Sequence, residues 1–109
     1  TISKVELYVQ NATFYSSAGG SQRFGMTTLG SIPAGGTLTT GPGAYTGNIG
    51  FTTGQGKWIT LPTSAASSLT SGGRVAIIGP GTDNNTTYYS KWYDHVGSGA
   101  PQLRITYTK

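Results

Sequence analysis

The strictest constraint on this fold is the closing run Pro101 to Thr108, PQLRITYT, which alternates with a period of two. Leu103, Ile105 and Tyr107 share one face, and Gln102, Arg104, Thr106 and Thr108 share the other. That is the signature of a strand with one face against a core. Ile2 to Gln10 repeats it, with Val5, Leu7 and Val9 on one side and Lys4, Glu6 and Tyr8 on the other. Ahead of the closing run stands a third extended segment, Tyr88 to Tyr93, separated from it by a turn containing Gly97 and Gly99. These last two segments are expected to form a closing hairpin, with Trp92, Leu103, Ile105 and Tyr107 in the core.

The rest of the chain reads as short extended pieces between turns. Asn11-Ala12 is expected to turn the chain into a short strand, Thr13 to Tyr15, and Ser16 to Ser21 is a glycine-bearing turn. Arg23 to Leu29 follows as a strand with Phe24 and Met26 inward. Residues 34–56 hold eight glycines, which weaken regular strands through backbone entropy, so this is read as a long surface connection anchored by Tyr45 and Phe51. A short strand is allowed near Asn48 to Thr52. Lys57 to Leu61 is a strand stopped by Pro62, with Trp58 assigned to the core. The one helical signal comes next: Thr63 or Ser64 as cap, Ala65, Ala66 and Leu69 inside, and Gly72 at the end. Arg74 to Gly79 is a buried strand, and Pro80 to Thr87 a polar turn. The fold class is all-β, a jelly-roll-like β-sandwich with one short helix, in a single domain over residues 1–109.

Composition narrows the function classes. Charged residues are 9% of the chain, against about 25% in ordinary domains. The seven Lys and Arg that give a net charge of +4 are scattered, so no basic patch invites nucleic acid. Cysteine is absent, which rules out disulfides and thiolate metal sites. No apolar run approaches the length of a membrane span and no signal peptide is recognisable. A chain opening on Thr1 is expected to be a module of a longer protein. The Thr-, Ser-, Gly- and Tyr-rich surface suits a virion or an extracellular, cell-surface setting.

Catalysis is not expected. A glycosidase needs two carboxylates flanking the bond, and the chain holds only Glu6, Asp83 and Asp94. Asp94 and His95 are adjacent, so in an extended chain they diverge, and no nucleophile elbow accompanies them. Asp83-Asn84-Asn85 offers oxygen ligands, but its spacing is that of a self-capping turn rather than a calcium loop. No metal or cofactor is expected. Glycosylation sequons occur at Asn11 and, overlapping, at Asn84 and Asn85 in the Asn84-Asn85-Thr86-Thr87 stretch.

Aromatic residues carry the binding signal, because flat rings flanked by hydrogen-bonding side chains suit the apolar C–H faces of sugars. Lys91 marks the outward face of the Tyr88–Tyr93 segment, which puts Tyr89 and Tyr93 outside. With Asn84, Asn85, Asp94 and His95 they form the candidate glycan face. The same rings also serve as ordinary cross-strand packing in any sheet.

The order of the second half carries a resemblance. A Trp-bearing strand (Trp58 to Leu61), a short helix ending in glycine (Thr63 to Gly73), an apolar strand (Val75 to Ile78), a Tyr-rich strand and a final Pro-x-Leu-x-Ile-x-Tyr follow one another. Together with the opening Lys4-Val5-Glu6-Leu7-Tyr8-Val9, this resembles the disaggregatase-related (DNRLRE) domains and kindred jelly-roll carbohydrate-binding modules. It also looks like the C-terminal modules of tail proteins of phages that infect actinobacteria. The resemblance covers residues 4–9 and 57–108. It implies a non-catalytic tail or adhesin module, structural or binding a host cell-surface glycan, with other virion or parent-protein chains, including copies of itself, as neighbours. The alternative it implies is a carbohydrate-binding module of a secreted bacterial enzyme.

Overall fold

The computed structural model describes residues 1–27, 40–62, 64–70, 74–76 and 90–109. The chain is all-β with one short helix. Its organising element is β1, Ile2–Phe14, thirteen residues long. The expected turn at Asn11-Ala12 is instead a bulge within this strand: Asn11 lies opposite Trp92 and Thr13 opposite Lys91. The extra residue shifts the phase of the alternation by one. Val5, Leu7, Val9 and Asn11 point inward before the bulge, and Phe14 points inward after it.

Among the described residues eight further strands follow: β2 (Gly20–Gln22), β3 (Gly25–Thr27), β4 (Thr40–Tyr45), β5 (Ile49–Phe51), β6 (Gly56–Thr60), β7 (Arg74–Ala76), β8 (Ser90–Trp92) and β9 (Gln102–Tyr107). They form three antiparallel sheets: β6, β1, β8 and β9; β2 with β5; and β4, β3, β7. The helix α1, Ser64–Thr70, begins where Pro62 accepts the Ala65 N–H at 2.8 Å and packs Ala65 into the core.

β8 and β9 do not pair with each other; both pair with β1. Hydrogen-bond parity places them on the same edge. Val5 accepts from Leu61 and Asn11 donates to Gln55, both at 2.9 Å, so the odd residues of β1 turn their backbone groups toward β6. Gln10, an even residue, accepts the Tyr93 N–H at 3.1 Å on the opposite edge, where Glu6 and Tyr8 meet Arg104 and Gln102. The two strands therefore lie end to end. Trp92 lies opposite Asn11 and Gln102 opposite Tyr8, so ten residues of chain span three of β1 and the surplus is extruded as a loop.

The core is built from Val5, Leu7, Val9, Phe14, Phe24, Phe51, Ile59, Leu61 and Ala65, with Trp92 half-buried against it. Trp92 meets Phe51, Phe24 and Phe14 edge-on, with ring centroids 4.8, 5.7 and 6.1 Å away. These T-shaped contacts bring the electropositive ring edge onto the facing π-cloud. Trp92 and Phe51 thus sit inside as expected. Leu103, Ile105 and Tyr107 do not: all six residues of β9 are exposed, and none of the described core residues packs on these three. The expected termination of α1 at Gly72, the turn Pro80 to Thr87, and the side chains of Met26, Tyr45 and Leu69 lie outside the described residues.

Candidate functional site

The outer face of the four-stranded sheet carries the even residues of β1. Register sets the rows: Thr60, Glu6 and Arg104 across β6, β1 and β9, then Trp58, Tyr8 and Gln102. Trp58, expected in the core, stands on this outer face with 40% of its surface exposed. The reason is its phase: Ile59 and Leu61 supply the inward set of their segment, and Trp58 has the opposite parity. Tyr8 lies beside it at a centroid distance of 5.5 Å and an interplanar angle of 56°. Gly56 makes room for Tyr8, since a Cβ there would strike the phenol ring.

Arg104 reaches diagonally across β1 and lays its guanidinium 4.1 Å from the centre of the Trp58 ring. It is held there by a two-point pairing with Glu6, Nε to Oε2 at 2.8 Å and Nη2 to Oε1 at 3.0 Å. Lys4 adds a second cation 3.0 Å from Oε1. The Arg104 guanidinium first, and the Lys4 ammonium after it, hold the Glu6 carboxyl at about 2, well below its ordinary 4.5. Glu6 in return raises Arg104 further. The carboxylate is largely shielded beneath these two cations, whereas about half of each cation's side chain faces solvent. Arg104 has five N–H donors and spends two on Glu6, which leaves three on a half-exposed side chain beside an exposed indole.

The extruded loop Tyr93 to Pro101 borders this face, leaving β1 beside Gln10 and returning beside Tyr8. It places Tyr93, Asp94 and His95 together in solvent. Tyr93 rests its ring on Gly99, and Asp94 Oδ1 accepts the Val96 N–H at 2.9 Å, an Asx turn that shapes the loop. The other three residues of the expected glycan face, Asn84, Asn85 and Tyr89, lie outside the described residues, as does Asp83. Asn11 is fully buried, and its Nδ2 donates to the backbone carbonyls of Thr13 and Lys91, so a glycan on this residue is incompatible with the fold. No three of His, Asp and Glu cluster among the described residues.

Tyr8, Trp58, Arg104 and Glu6 are the residues that sequence reasoning did not bring together. Parity held the signal for Tyr8, which alternates with Lys4 and Glu6, and for Trp58, which alternates against Ile59. Nothing local marks Arg104 as the partner of Glu6, because 98 residues separate them. Comparison with family models, curated proteins and solved structures finds no match for this chain.

Proposed function

We propose that the chain is a non-catalytic β-sandwich module displayed on a virion or cell surface, and that it binds carbohydrate on the outer face of its four-stranded sheet. The observation that carries this reading is an exposed Trp58 flanked by Tyr8 and by an Arg104 with unspent N–H donors. A sugar presents an apolar C–H face to such rings and its hydroxyls to the guanidinium and to Gln102. Glu6 acts through Arg104: it fixes the fork in place, so the donors do not have to be ordered when ligand arrives. Lys4 and Arg104 against Glu6 leave one positive charge on the face, which suits neutral and acidic sugars alike. Tyr93 and His95 in the bordering loop supply a rim. The resemblance of residues 4–9 and 57–108 to carbohydrate-binding and phage-tail modules supports the same setting.

The test is a glycan array together with pull-down on isolated actinobacterial cell walls. Wild type is expected to bind. Trp58→Ala is expected to weaken binding tenfold or more, equivalent to about 1.4 kcal/mol or more. Arg104→Lys keeps the charge but loses the two-point fork and is expected to weaken binding as well. Tyr93→Ala is expected to have a smaller effect. A blank array with blank cell walls, or full binding by a folded Trp58→Ala variant, overturns the reading.

A further inference from the structure

The uncovered strand β9 has an open backbone edge as well as an open face. Thr1 and Thr108 exchange both backbone hydrogen bonds, at 2.8 Å each, which fixes the parity of the ladder. Gln102, Arg104, Thr106 and Thr108 therefore turn their N–H and C=O groups to β1, and Leu103, Ile105 and Tyr107 turn theirs away. Among the described residues nothing meets those outward groups. The same three residues carry the exposed apolar side chains, at 46%, 40% and 62% exposure, although Leu7 and Val5 directly across on β1 are only 7% and 4% exposed. Core cover stops at β1.

The opposite edge of the sheet is different. In β6 the inward Ile59 is buried, as is Leu61 just beyond it, and Lys57 interrupts the edge. Charged side chains, prolines and bulges are the usual guards of a free edge. β9 contains no lysine or proline, and the irregularity in its pairing falls on β1 at Ser3. Its single charge, Arg104, is committed to Glu6 and Trp58 on the other face.

We infer that this edge pairs with the β9 edge of a second copy of the chain, antiparallel about a two-fold axis at Ile105. The sequence of β9 is self-complementary in that register. Ile105 meets Ile105 of the second copy, and Leu103 meets Tyr107 in both directions. These are the outward-turned residues, so each pair can exchange two backbone bonds. Arg104 falls opposite Thr106, so no like charges face each other. A register centred on Arg104 would instead set two guanidinium groups opposite one another. The two apolar rows become continuous across the seam, as in strand addition at other sheet edges. This inference is independent of any ligand.

The absence of cysteine provides a clean test. Directly opposed residues in a bonded antiparallel pair have Cα atoms roughly 5.5 Å apart, within disulfide reach. Under mild oxidation, Ile105→Cys is expected to cross-link to itself rapidly. Thr106→Cys, displaced from its own copy by two residues along the strand, is expected to stay largely uncross-linked. Sedimentation of the unmodified chain over a concentration series is expected to rise from 11.3 kDa toward twice that mass. Ile105→Lys is expected to remain monomeric, with its fold checked by near-ultraviolet circular dichroism. A wild type that stays monomeric at roughly millimolar concentration overturns the inference. Equal cross-linking of the two cysteine variants, or an undisturbed Ile105→Lys dimer, does the same.

Discussion

Asn11 offers the sharpest test of how β1 is held. It is fully buried at the bulge, and its Nδ2 donates to the Lys91 carbonyl at 3.1 Å and to the Thr13 carbonyl at 3.3 Å. Its Oδ1 accepts nothing from the protein. Asn11→Ala removes two neutral hydrogen bonds worth about 1 kcal/mol each, and part of that loss is returned because the unmatched oxygen goes too. The net expectation is a destabilisation of about 1–2 kcal/mol. Asn11→Asp keeps the shape but exchanges the donor for a second acceptor aimed at carbonyl oxygens, in a place where charge is unsupported. Its expected cost at neutral pH is larger, about 3–5 kcal/mol. Burial raises the pKa of that new carboxyl, so the penalty is greatest above its folded pKa and eases as pH falls. Urea denaturation followed by tryptophan fluorescence measures both, since Trp92 lies directly opposite Asn11. If Asn11→Ala matches wild type, or if Asn11→Asp is the milder change, the bulge is not held by this amide.

Other consequences follow from the same contacts. Glu6 has a folded pKa of about 2 against 4.5, so its contribution to stability is complete above pH 4.5 and is lost as pH falls toward 2. Glu6→Gln should flatten the pH dependence of the urea midpoint in that window, and an unchanged slope would show that the pairing with Arg104 does not form in solution. Gly19 has φ +94°, and a Cβ there would collide with the Phe51 carbonyl oxygen. Gly19→Ala is therefore expected to cost at least 1–2 kcal/mol in the same assay, because strain and collision act together. The two tryptophans should separate cleanly. Trp92→Ala, which vacates the space among Phe14, Phe24 and Phe51, is expected to cost about 3–5 kcal/mol, and Trp58→Ala about 1 kcal/mol or less while losing ligand.

Alternation in the sequence identifies which face a side chain takes, and that much was legible. Val5, Leu7 and Val9 face inward, Glu6 and Tyr8 outward, and Trp92 inward beside an exposed Lys91. Alternation does not say whether a face is covered. Leu103 and Ile105 lie on the same side of the sheet as Leu7 and Val5 but outside the reach of the core. For Trp58 the bulk of the side chain argues for the core, but its parity against Ile59 places it on the outer face. Neighbouring strands joined by a glycine-rich turn predict a closing hairpin, a sound local rule. It failed because β1 is long enough to pair both strands along one edge, and the bulge at Asn11 hides that length by breaking the period. The ion pair that fixes Arg104 depends on this pairing, so no local pattern could announce it.

Strand β9 joins the two proposals, since its side chains serve opposite faces of one sheet. Arg104 contributes to the outer aromatic face, and Leu103, Ile105 and Tyr107 to the apolar seam. Antiparallel pairing about an axis normal to the sheet keeps directly opposed side chains on the same side. The strand order across the seam becomes β6, β1, β9, then β9, β1, β6 of the second copy. Both Trp58 residues then face the same way, five strand intervals apart, which is roughly 24 Å at the usual inter-strand spacing. Such a dimer presents two sites to one surface, and the second contact benefits from a high effective concentration. On a surface dense in glycan, wild type should therefore bind at least tenfold more tightly than Ile105→Lys. A single soluble oligosaccharide should bind both equally, because Ile105 does not line the outer face. Equal binding on the dense surface would separate the two ideas, leaving a ligand face and a strand edge that do not cooperate.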